Sequence, residues 1–457
     1  MITSDQPPRG PGIAPLQALG AELVARDRWS RSQLIEFQRD QLRSLLAHAV
    51  QASPYYRDVF GPNAANVPLS ELPTLPKATL MDNFDRIVTD PALQLSELEA
   101  HVTSAEANRP FRGYRVFSTS GTAGLRGLTI YSHEEFALWT AASLRLFAWT
   151  GITPQTRLVA IGSPDPVHIT NQLFSAFRSG RQDAPRVSVL TPIDEIVAAL
   201  NEYQPEALVG YTSVGHLLAQ QQLDGRLRIQ PRVVALGSEV LTGEATQRIR
   251  EAWRIEPVNV YASTEVLFIA TSRPPHTDLH IYDDLLIIEV VDEHNRPVPP
   301  GKPGFKVLVT NLVNRVQPLI RYELSDSVVL AEGPDPSGLP YGRFASVDGR
   351  SDDVLRLSAR AGGELPVYPY RLRAPFSGLS EVRQYQIIHD ESGLQVRVVL
   401  QPAASPETLV RVREALLRAL DDIGALAPSI EVVPVASIER EAHGSKLKLI
   451  KSRRPWK

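Results

Sequence analysis

The chain has 457 residues, 43% hydrophobic and 22% charged, which suits a globular protein with two or three cores and excludes a disordered one. Its 48 basic and 51 acidic residues leave a net charge of −3, without the basic surplus of a nucleic-acid scaffold but compatible with a local basic pocket for a phosphorylated small molecule. No cysteine is present, so disulfides, thiolate nucleophiles and cysteine-ligated metals are excluded.

The first residues, Met1-Ile-Thr-Ser-Asp-Gln-Pro-Pro, carry no basic segment followed by an apolar one, so no secretory leader is expected there. Apolar runs such as residues 285–288 fall far short of the ~20 needed to cross a bilayer, and a cytoplasmic protein is expected, with no membrane or nucleic-acid partner. The first ~100 residues read as helices joined by proline-rich connections. Leu34, Phe37, Leu42, Leu45, Leu46 and Val50 follow a helical repeat that Ser53-Pro54 stops, the pattern of a packing helix. Pro73 and Pro76 bracket a loop.

From about 115 to 265, short apolar runs alternate with amphipathic segments. The runs are 158–161, 187–190, 207–209, 233–236 and 258–261. Ser132 and Glu135 form a capping box before a helix that sets Phe136, Trp139 and Phe147 on one face. Thr191-Pro192 opens a second helix, with proline at its first position and Ile193, Ile196, Val197 and Leu200 as its stripe. Strand–helix alternation predicts a parallel sheet covered by helices, with ligands at the carboxyl ends of the strands. From 266 to about 335, runs 285–291 and 305–309 around a Pro/Gly-rich turn predict a small β-rich subdomain. After Asp348-Gly349 comes an α+β module of about 100 residues. Its strands lie near 384–389, 394–400 and 430–435. Its helix, opened by Ser405-Pro406, has an apolar face of Val410, Val412, Ala415, Leu416 and Leu420.

Five segments carry residue types with chemistry. Phe117-Ser-Thr-Ser-Gly-Thr-Ala-Gly-Leu-Arg-Gly127 has three glycines and four hydroxyls before the strand-like run 128–131. Small residues let backbone N–H groups approach phosphate oxygens, yet no Gly-Lys-Ser/Thr closes a Walker loop, and alone this also fits a surface loop. Asn259-Val-Tyr-Ala-Ser-Thr-Glu265 ends a strand; its carboxylate suits Mg²⁺ and its tyrosine a base, or it is simply a solvated strand end. Pro318-Leu-Ile-Arg-Tyr-Glu-Leu-Ser-Asp326 and Asp348-Gly-Arg-Ser-Asp-Asp353 offer an aspartate for ribose hydroxyls and arginines for phosphate, or ordinary turns and ion pairs. The tail His443-Gly-Ser-Lys446 presents a cation on a glycine-containing loop, or is merely solvated.

In that order the five segments resemble the adenylate-forming superfamily of acyl-CoA synthetases, most of all its phenylacetate-CoA ligase branch. Ser118-Thr-Ser-Gly-Thr-Ala-Gly124 resembles the phosphate loop, Tyr261-Ala-Ser-Thr-Glu265 the Tyr-Gly-x-Thr-Glu motif, and Arg321-Tyr-Glu-Leu-Ser-Asp326 the Arg-Tyr-Arg-Thr-x-Asp motif. Gly349-Arg-Ser-Asp-Asp353 resembles the hinge, and Gly444-Ser-Lys446 the loop of the C-terminal catalytic lysine. Weaker similarities extend over nearly the whole chain: Ser53-Pro-Tyr-Tyr-Arg57, Leu72-Pro-Thr-Leu-Pro-Lys77, Gly237-Ser-Glu239 as an adenine-side loop, and His280-Ile-Tyr-Asp-Asp284. Three departures stand out. Leu125, with Arg126 beside it, replaces the loop lysine; Ala262 replaces a glycine; Ser358-Ala-Arg-Ala-Gly-Gly363 stands where the branch has Arg-Gly-x-Asn-Val.

The resemblance implies an α/β fold with a large N-terminal adenylation domain, 1–348, holding parallel helix-covered sheets and a β-rich subdomain. A small mobile α+β lid domain, 349–457, follows. It implies ATP, Mg²⁺ and coenzyme A as cofactors and an AMP-forming acid–thiol ligase as the activity. Ser120, Gly121, Thr122 and Gly124 would cradle pyrophosphate, and Glu265 would hold Mg²⁺. Gly237, Ser238, Glu239, Tyr261, Ala262, Ser263, Thr264, Asp326 and Arg350 would surround the nucleotide, with Asp326 on the ribose. Lys446 would bridge the attacking carboxylate and the α-phosphate, and Asp352 would be the hinge. By position, Ser163, His168, Tyr211 and Thr212 would line the acyl pocket, where no Arg or Lys reads a second carboxylate, so an aromatic or other mostly apolar acid is expected. His168 and His216 are polar readers of a substituent or structural histidines. A carrier-protein pantetheine or an amine as acceptor, a turnover-deficient binding protein, and a monomer or homodimer all remain compatible.

Overall fold

Side-chain alternation across four short strands organises the centre of the molecule. In the computed structural model, residues 13–118, 127–178, 185, 187–350, 355–367, 369–373, 375–376, 379, 381–402, 404–438 and 448–452 are described. Strands β3 (Leu158–Ile161), β4 (Ala207–Tyr211), β5 (Val233–Gly237) and β6 (Val258–Ser263) pair in parallel. Leu158, Ala160, Ala207, Val233 and Ala235 face one core, and Val159, Ile161, Leu208, Val234 and Leu236 face the other. Period-2 alternation in strands buried on both faces gives such continuous apolar runs.

The first core is covered by α1 (Ile13–Ala25), α2 (Arg31–Ala52), α3 (Pro54–Phe60) and α7 (His133–Thr150). Short helices α4 (Lys77–Asp82), α5 (Phe84–Ile87) and α6 (Leu95–Val102) join them in sequence beside the hairpin of β1 (Arg115–Ser118) and β2 (Leu128–Tyr131). The capping box of α7 forms as expected: Ser132 Oγ accepts the Glu135 N–H at 3.2 Å, and Glu135 Oε2 accepts the Ser132 N–H at 2.7 Å. Such a cap contributes about 1 kcal/mol. The helix ends where Gly151 adopts φ 69°, a left-handed stop that glycine takes without a Cβ clash. Helices α9 (Ile193–Tyr203), α10 (Thr212–Leu223) and α11 (Gly243–Trp253) cover the second face, and α8 (Ile169–Arg178) follows β3.

The large sheet has eight strands in the order β12-β13-β8-β7-β6-β5-β4-β3. Its far half, β7 (Leu267–Ser272), β8 (Leu279–Ile281), β12 (Asp326–Leu330) and β13 (Arg343–Arg350), is antiparallel. The expected β-rich region therefore divides. Only β9 (Leu286–Val291), β10 (Lys306–Asn311) and β11 (Tyr322–Leu324) form a separate sheet, while its other strands extend the large one. Beyond it, β14 (Leu355–Ser358) and β15 (Glu364–Val367) make a hairpin. A four-stranded sheet of β16 (Val382–Asp390), β17 (Gly393–Leu400), β18 (Ile430–Pro434) and β19 (Ile450–Ser452) carries α13 (Glu407–Asp421), with α12 (Pro369–Arg373) nearby. Their core draws on residues from Leu355 to Ile450. No helix among the described residues is long and apolar enough to cross a membrane.

Three expectations are corrected. Residues 187–190 are not a strand; they make a single parallel bridge, Gly162 to Ser188, and Leu190 is 63% exposed. Pro192 caps α9 from outside, and the helix begins at Ile193. Val410 is exposed, because two residues turn a helix by about 200° and place it opposite the buried Val412, Leu416 and Leu420.

Helices α10 and α11 meet the C-terminal module through a polar seam. Gln401 Nε2 donates to Gln220 Oε1 at 3.2 Å, and Arg248 bonds the same oxygen. Beside them the Oε1 atom of Glu244 is buried, 3.7 Å from His216 Nε2, 3.9 Å from Arg248 Nη2 and without a hydrogen bond. Arg383 and Tyr385 of β16 face the same group of side chains. Burial pushes the Glu244 carboxyl up to about 8 despite Arg248. Burial, then the charges of Arg248 and Arg383, pulls His216 down to about 4. The folded chain thus holds a Glu244 proton that the unfolded chain loses from pH about 4.5 upward, so this group's contribution falls toward pH 8. His216 acts oppositely between about 4 and 6.5, since there the unfolded chain binds the extra proton. The two offset each other below pH 6.5 and leave Glu244 alone above it. Stability is expected to fall by about 2 kcal/mol between pH 6.5 and 8, and Glu244→Gln to remove that slope in urea denaturation. A variant with an unchanged slope would overturn this assignment.

Candidate active site

The parallel strands release their chains on one edge of the sheet. Ser163 follows β3, Tyr211 ends β4, Gly237 ends β5, and Ser263 ends β6. A cleft opens there, lined by His168, Ile169, Thr170, Leu173, Ser238, Ala262, Ser263, Thr264, Leu267 and Phe268. Two of its residues take left-handed backbone, Ser238 at φ 63° and Leu267 at φ 50°. Such geometry is costly for a side chain with a Cβ and concentrates at functional sites. Gly237 is required by contact: a Cβ there would lie 2.6 Å from the Val260 carbonyl oxygen.

The residues expected from sequence on the nucleotide side meet around this edge. Glu239 is fixed across it, its Oε2 accepting the Ser213 N–H at 2.7 Å and its carbonyl accepting the Thr212 hydroxyl at 3.2 Å. Tyr261 donates its phenol to Asp326 Oδ2 at 2.8 Å, joining two segments 65 residues apart. Arg350 pairs by backbone register with Asp326 in β13–β12. Ser263 Oγ accepts the Val266 N–H at 3.3 Å and tightens the turn that presents Glu265. Glu265 is itself held twice: Tyr322 donates to Oε1 at 3.2 Å, and Tyr131 donates to the main-chain carbonyl at 2.6 Å. Burial, and then the charges of Glu135 and Glu265, raises the Tyr131 phenol well above its ordinary range, so it stays protonated and able to donate.

On the side expected from sequence to hold the acyl group, a polar cluster closes one wall. Thr170 Oγ1 accepts the Ser163 N–H at 3.2 Å and lies 2.9 Å from His168 Nδ1 and 3.2 Å from the Tyr211 hydroxyl. Because Thr170 N–H donates to His168 Nδ1 at 3.2 Å, the neutral imidazole carries its proton on Nε2. Leu173, Leu267 and Phe268 make the rest of the wall apolar. His216 is not among the lining residues; it belongs to the polar seam with Glu244.

Of the expected site residues, Ser163, His168, Tyr211, Thr212, Gly237, Ser238, Glu239, Tyr261, Ala262, Ser263, Thr264, Glu265 and Asp326 gather at this edge, with Arg350 reaching it by its backbone. Ser120, Gly121, Thr122, Gly124, Asp352 and Lys446 lie outside the described residues. Thr170, Leu173, Leu267 and Phe268 were not singled out from sequence, nor were Tyr131 and Tyr322 as supports of Glu265. Tyr322 stands inside the Arg321–Asp326 motif, whereas Thr170 carries only its spacing of two from His168.

Glu265 suits Mg²⁺, a cation that takes one or two protein carboxylates and otherwise phosphate oxygens and water. Among the described residues no group of three or more His, Asp or Glu side chains is spaced to hold a metal by itself.

A helix-covered sheet whose strand ends gather a glycine–serine turn, a tyrosine-held aspartate and an anchored glutamate has the architecture of the adenylate-forming enzymes. The AMP-binding enzyme family matches residues 65–309, and the chain belongs to that family. It is 24% identical to a phenylacetate-coenzyme A ligase of Thermus thermophilus over 92% of this chain and 96% of the relative. To a phenylacetate-coenzyme A ligase of Aromatoleum evansii it is 23% identical, over 95% and 98%. Among solved structures, 2-hydroxyisobutyryl-CoA ligase in its postadenylation state superposes with TM-score 0.71 at 20% identity, covering 91% of this chain and 89% of that one. The same ligase in its thioesterification state gives 0.57 at 19% identity, covering 93% and 91%.

Proposed function

We propose that this protein uses ATP to convert a carboxylic acid, best an aryl acid, into an acyl-adenylate and then transfers the acyl group to coenzyme A. The observation that carries this reading is the meeting of Glu265, the Tyr261–Asp326 pair and the 237–239 turn at the ends of β4 to β6, beside a cleft with one polar and one apolar wall. Membership of the AMP-binding family and the two phenylacetate-CoA ligase relatives support it.

The chemistry joins two anions. A carboxylate oxygen attacks the α-phosphorus of ATP, the bond to the β-phosphate oxygen breaks, and pyrophosphate leaves with its electron pair. The protein's task is positioning and charge stabilisation. In this reading Asp326, oriented by Tyr261, accepts the ribose hydroxyls, and residues 120–124 cradle the departing pyrophosphate. Glu265 holds Mg²⁺, which when bound neutralises phosphate charge. Lys446 bridges the two reacting groups. In the second half-reaction the thiolate attacks the acyl carbon and AMP leaves. We read residues 349–457 as a lid that turns about Asp352 between the two steps. Support comes from the separate core of residues 355–450 and from the different match to the two states of 2-hydroxyisobutyryl-CoA ligase. A cytoplasmic setting, as monomer or homodimer, fits this reading.

ATP–pyrophosphate exchange over a panel of aryl and alkyl acids tests the first half-reaction. Acid-dependent exchange, strongest with aryl acids, is expected. No exchange with any acid, together with tight acyl-adenylate binding, would instead identify a binding protein. Product assays with coenzyme A, a phosphopantetheinyl carrier protein and amines then assign the acceptor, and coenzyme A is expected to be the productive one.

A further inference from the structure

Two buried tyrosines converge on Glu265. Tyr322, 1% exposed, opens β11 four residues before Asp326, and its hydroxyl meets Glu265 Oε1. Tyr131, 0% exposed, ends the strand that returns from the phosphate-loop segment, and its hydroxyl meets the Glu265 carbonyl oxygen. The carboxylate is thus oriented from one nucleotide segment and its backbone from another. A carboxylate has about four lone-pair directions on two oxygens, so one phenol bond sets its rotation and leaves acceptor capacity on the same group. A buried phenol donates along a direction its ring fixes, which makes it a stiffer support than water. Tyr261 acts in parallel on Asp326, so each of the two carboxylates has its own tyrosine.

We propose that Tyr322 is a positioning residue that aims the Glu265 carboxylate at the cation of a metal–ATP complex, with Tyr131 holding the backbone beneath it. The inference rests on the reading of Glu265 as the metal-binding carboxylate. Its test compares full-length wild type, Tyr322→Phe, Tyr261→Phe and Glu265→Gln. Binding of Mn²⁺ in the presence of a nonhydrolysable ATP analogue is followed by electron paramagnetic resonance. The Mg²⁺ dependence of pyrophosphate exchange and metal-free AMP affinity are measured on the same samples.

Tyr322→Phe is expected to weaken Mn²⁺ binding and raise the half-saturating Mg²⁺ about tenfold, the loss of one hydrogen bond to a charged group, while AMP affinity stays at the wild-type value. Tyr261→Phe is expected to do the reverse, weakening AMP at unchanged metal dependence. Wild-type Mn²⁺ binding in Tyr322→Phe, with a clear loss in Glu265→Gln, would overturn the role of Tyr322 alone. Wild-type Mn²⁺ binding in Glu265→Gln would overturn the underlying reading. A parallel loss of AMP and metal binding in Tyr322→Phe would reduce the tyrosine to general packing and also overturn the proposal.

Discussion

Replacing Lys446 by alanine is expected to lower acyl-adenylate formation by at least ~10²–10³-fold and to leave thioester formation from a supplied acyl-adenylate near the wild-type rate. The argument is electrostatic. The attacking carboxylate and the ATP phosphates repel, and the described side chains at the site add negative charge through Glu239, Glu265 and Asp326. None of the described residues lining the cleft is a lysine or arginine. In the proposed reading the stabilising cations come from the bound metal and from segments beyond these walls, whose basic residues include Arg126, Arg350 and Lys446. An ammonium on the attacking oxygen acts only while two anions approach each other. Once the mixed anhydride exists, the nucleophile is a thiolate, the leaving group is AMP, and the lysine has no remaining task. Separate single-turnover assays of the two half-reactions check this. Equal loss in both would refute the role assigned to Lys446, and a loss smaller than tenfold in the first would shift the bridging charge to Arg126.

The parallel half of the fold was readable because each strand is a local pattern. Residues 158–161, 207–209 and 233–236 are apolar without interruption and 258–261 is broken only by Asn259, and all four are strands within one or two residues at their ends. Residues 187–190, broken by Ser188, make only the Gly162–Ser188 bridge among the described residues and then turn. The antiparallel half was not readable. Its pairings, Asp326 with Arg350 and His280 with Arg343, join segments with no common local signal. The site divides in the same way. Motif residues were visible as types in order, but the contacts that make them a site are non-local: Tyr261 to Asp326, Tyr322 to Glu265, and Thr170 to Tyr211. Hydrogen-bond partners 41 to 65 residues apart leave no periodicity, so a single sequence does not reveal them.

Asp284→Ala is expected to destabilise the N-terminal region by about 3–5 kcal/mol, because it removes the two-pronged counter-charge of the buried Arg145 guanidinium and leaves only Asp27 beside its Nε. Both side chains are fully buried. Arg145 Nη1 reaches Asp284 Oδ1 at 2.9 Å and Nη2 reaches Oδ2 at 2.7 Å, a two-pronged pair, and Nη2 also donates to the Leu23 carbonyl at 2.7 Å. Arg26 lies 3.3 Å from the same carboxylate, and Asp27, 3.3 Å from Arg145 Nε, accepts from Trp149 and Tyr341. This network fastens α1 and its following turn to α7 and to the segment entering β9, and α7 lies against the strand that bears Tyr131. Burial pushes the Asp284 carboxyl up, but the Arg145 charge and hydrogen bonds outweigh it and hold it below the usual range. Its contribution is therefore present above the unfolded-state value near 4 and lost as pH falls through the lower folded-state value. A charge pair in this setting confers geometry more than net stability, since its desolvation offsets its attraction. The double replacement Arg145→Met with Asp284→Leu is accordingly expected to recover most of the loss, while Arg145→Met alone stays destabilised because the buried Asp284 keeps only Arg26, at 3.3 Å, as its counter-charge. Urea denaturation of the three variants, followed by tryptophan fluorescence, measures both effects. A double variant as unstable as Asp284→Ala would show that the ionic bonds themselves, rather than the burial of an unmatched charge, hold this corner together.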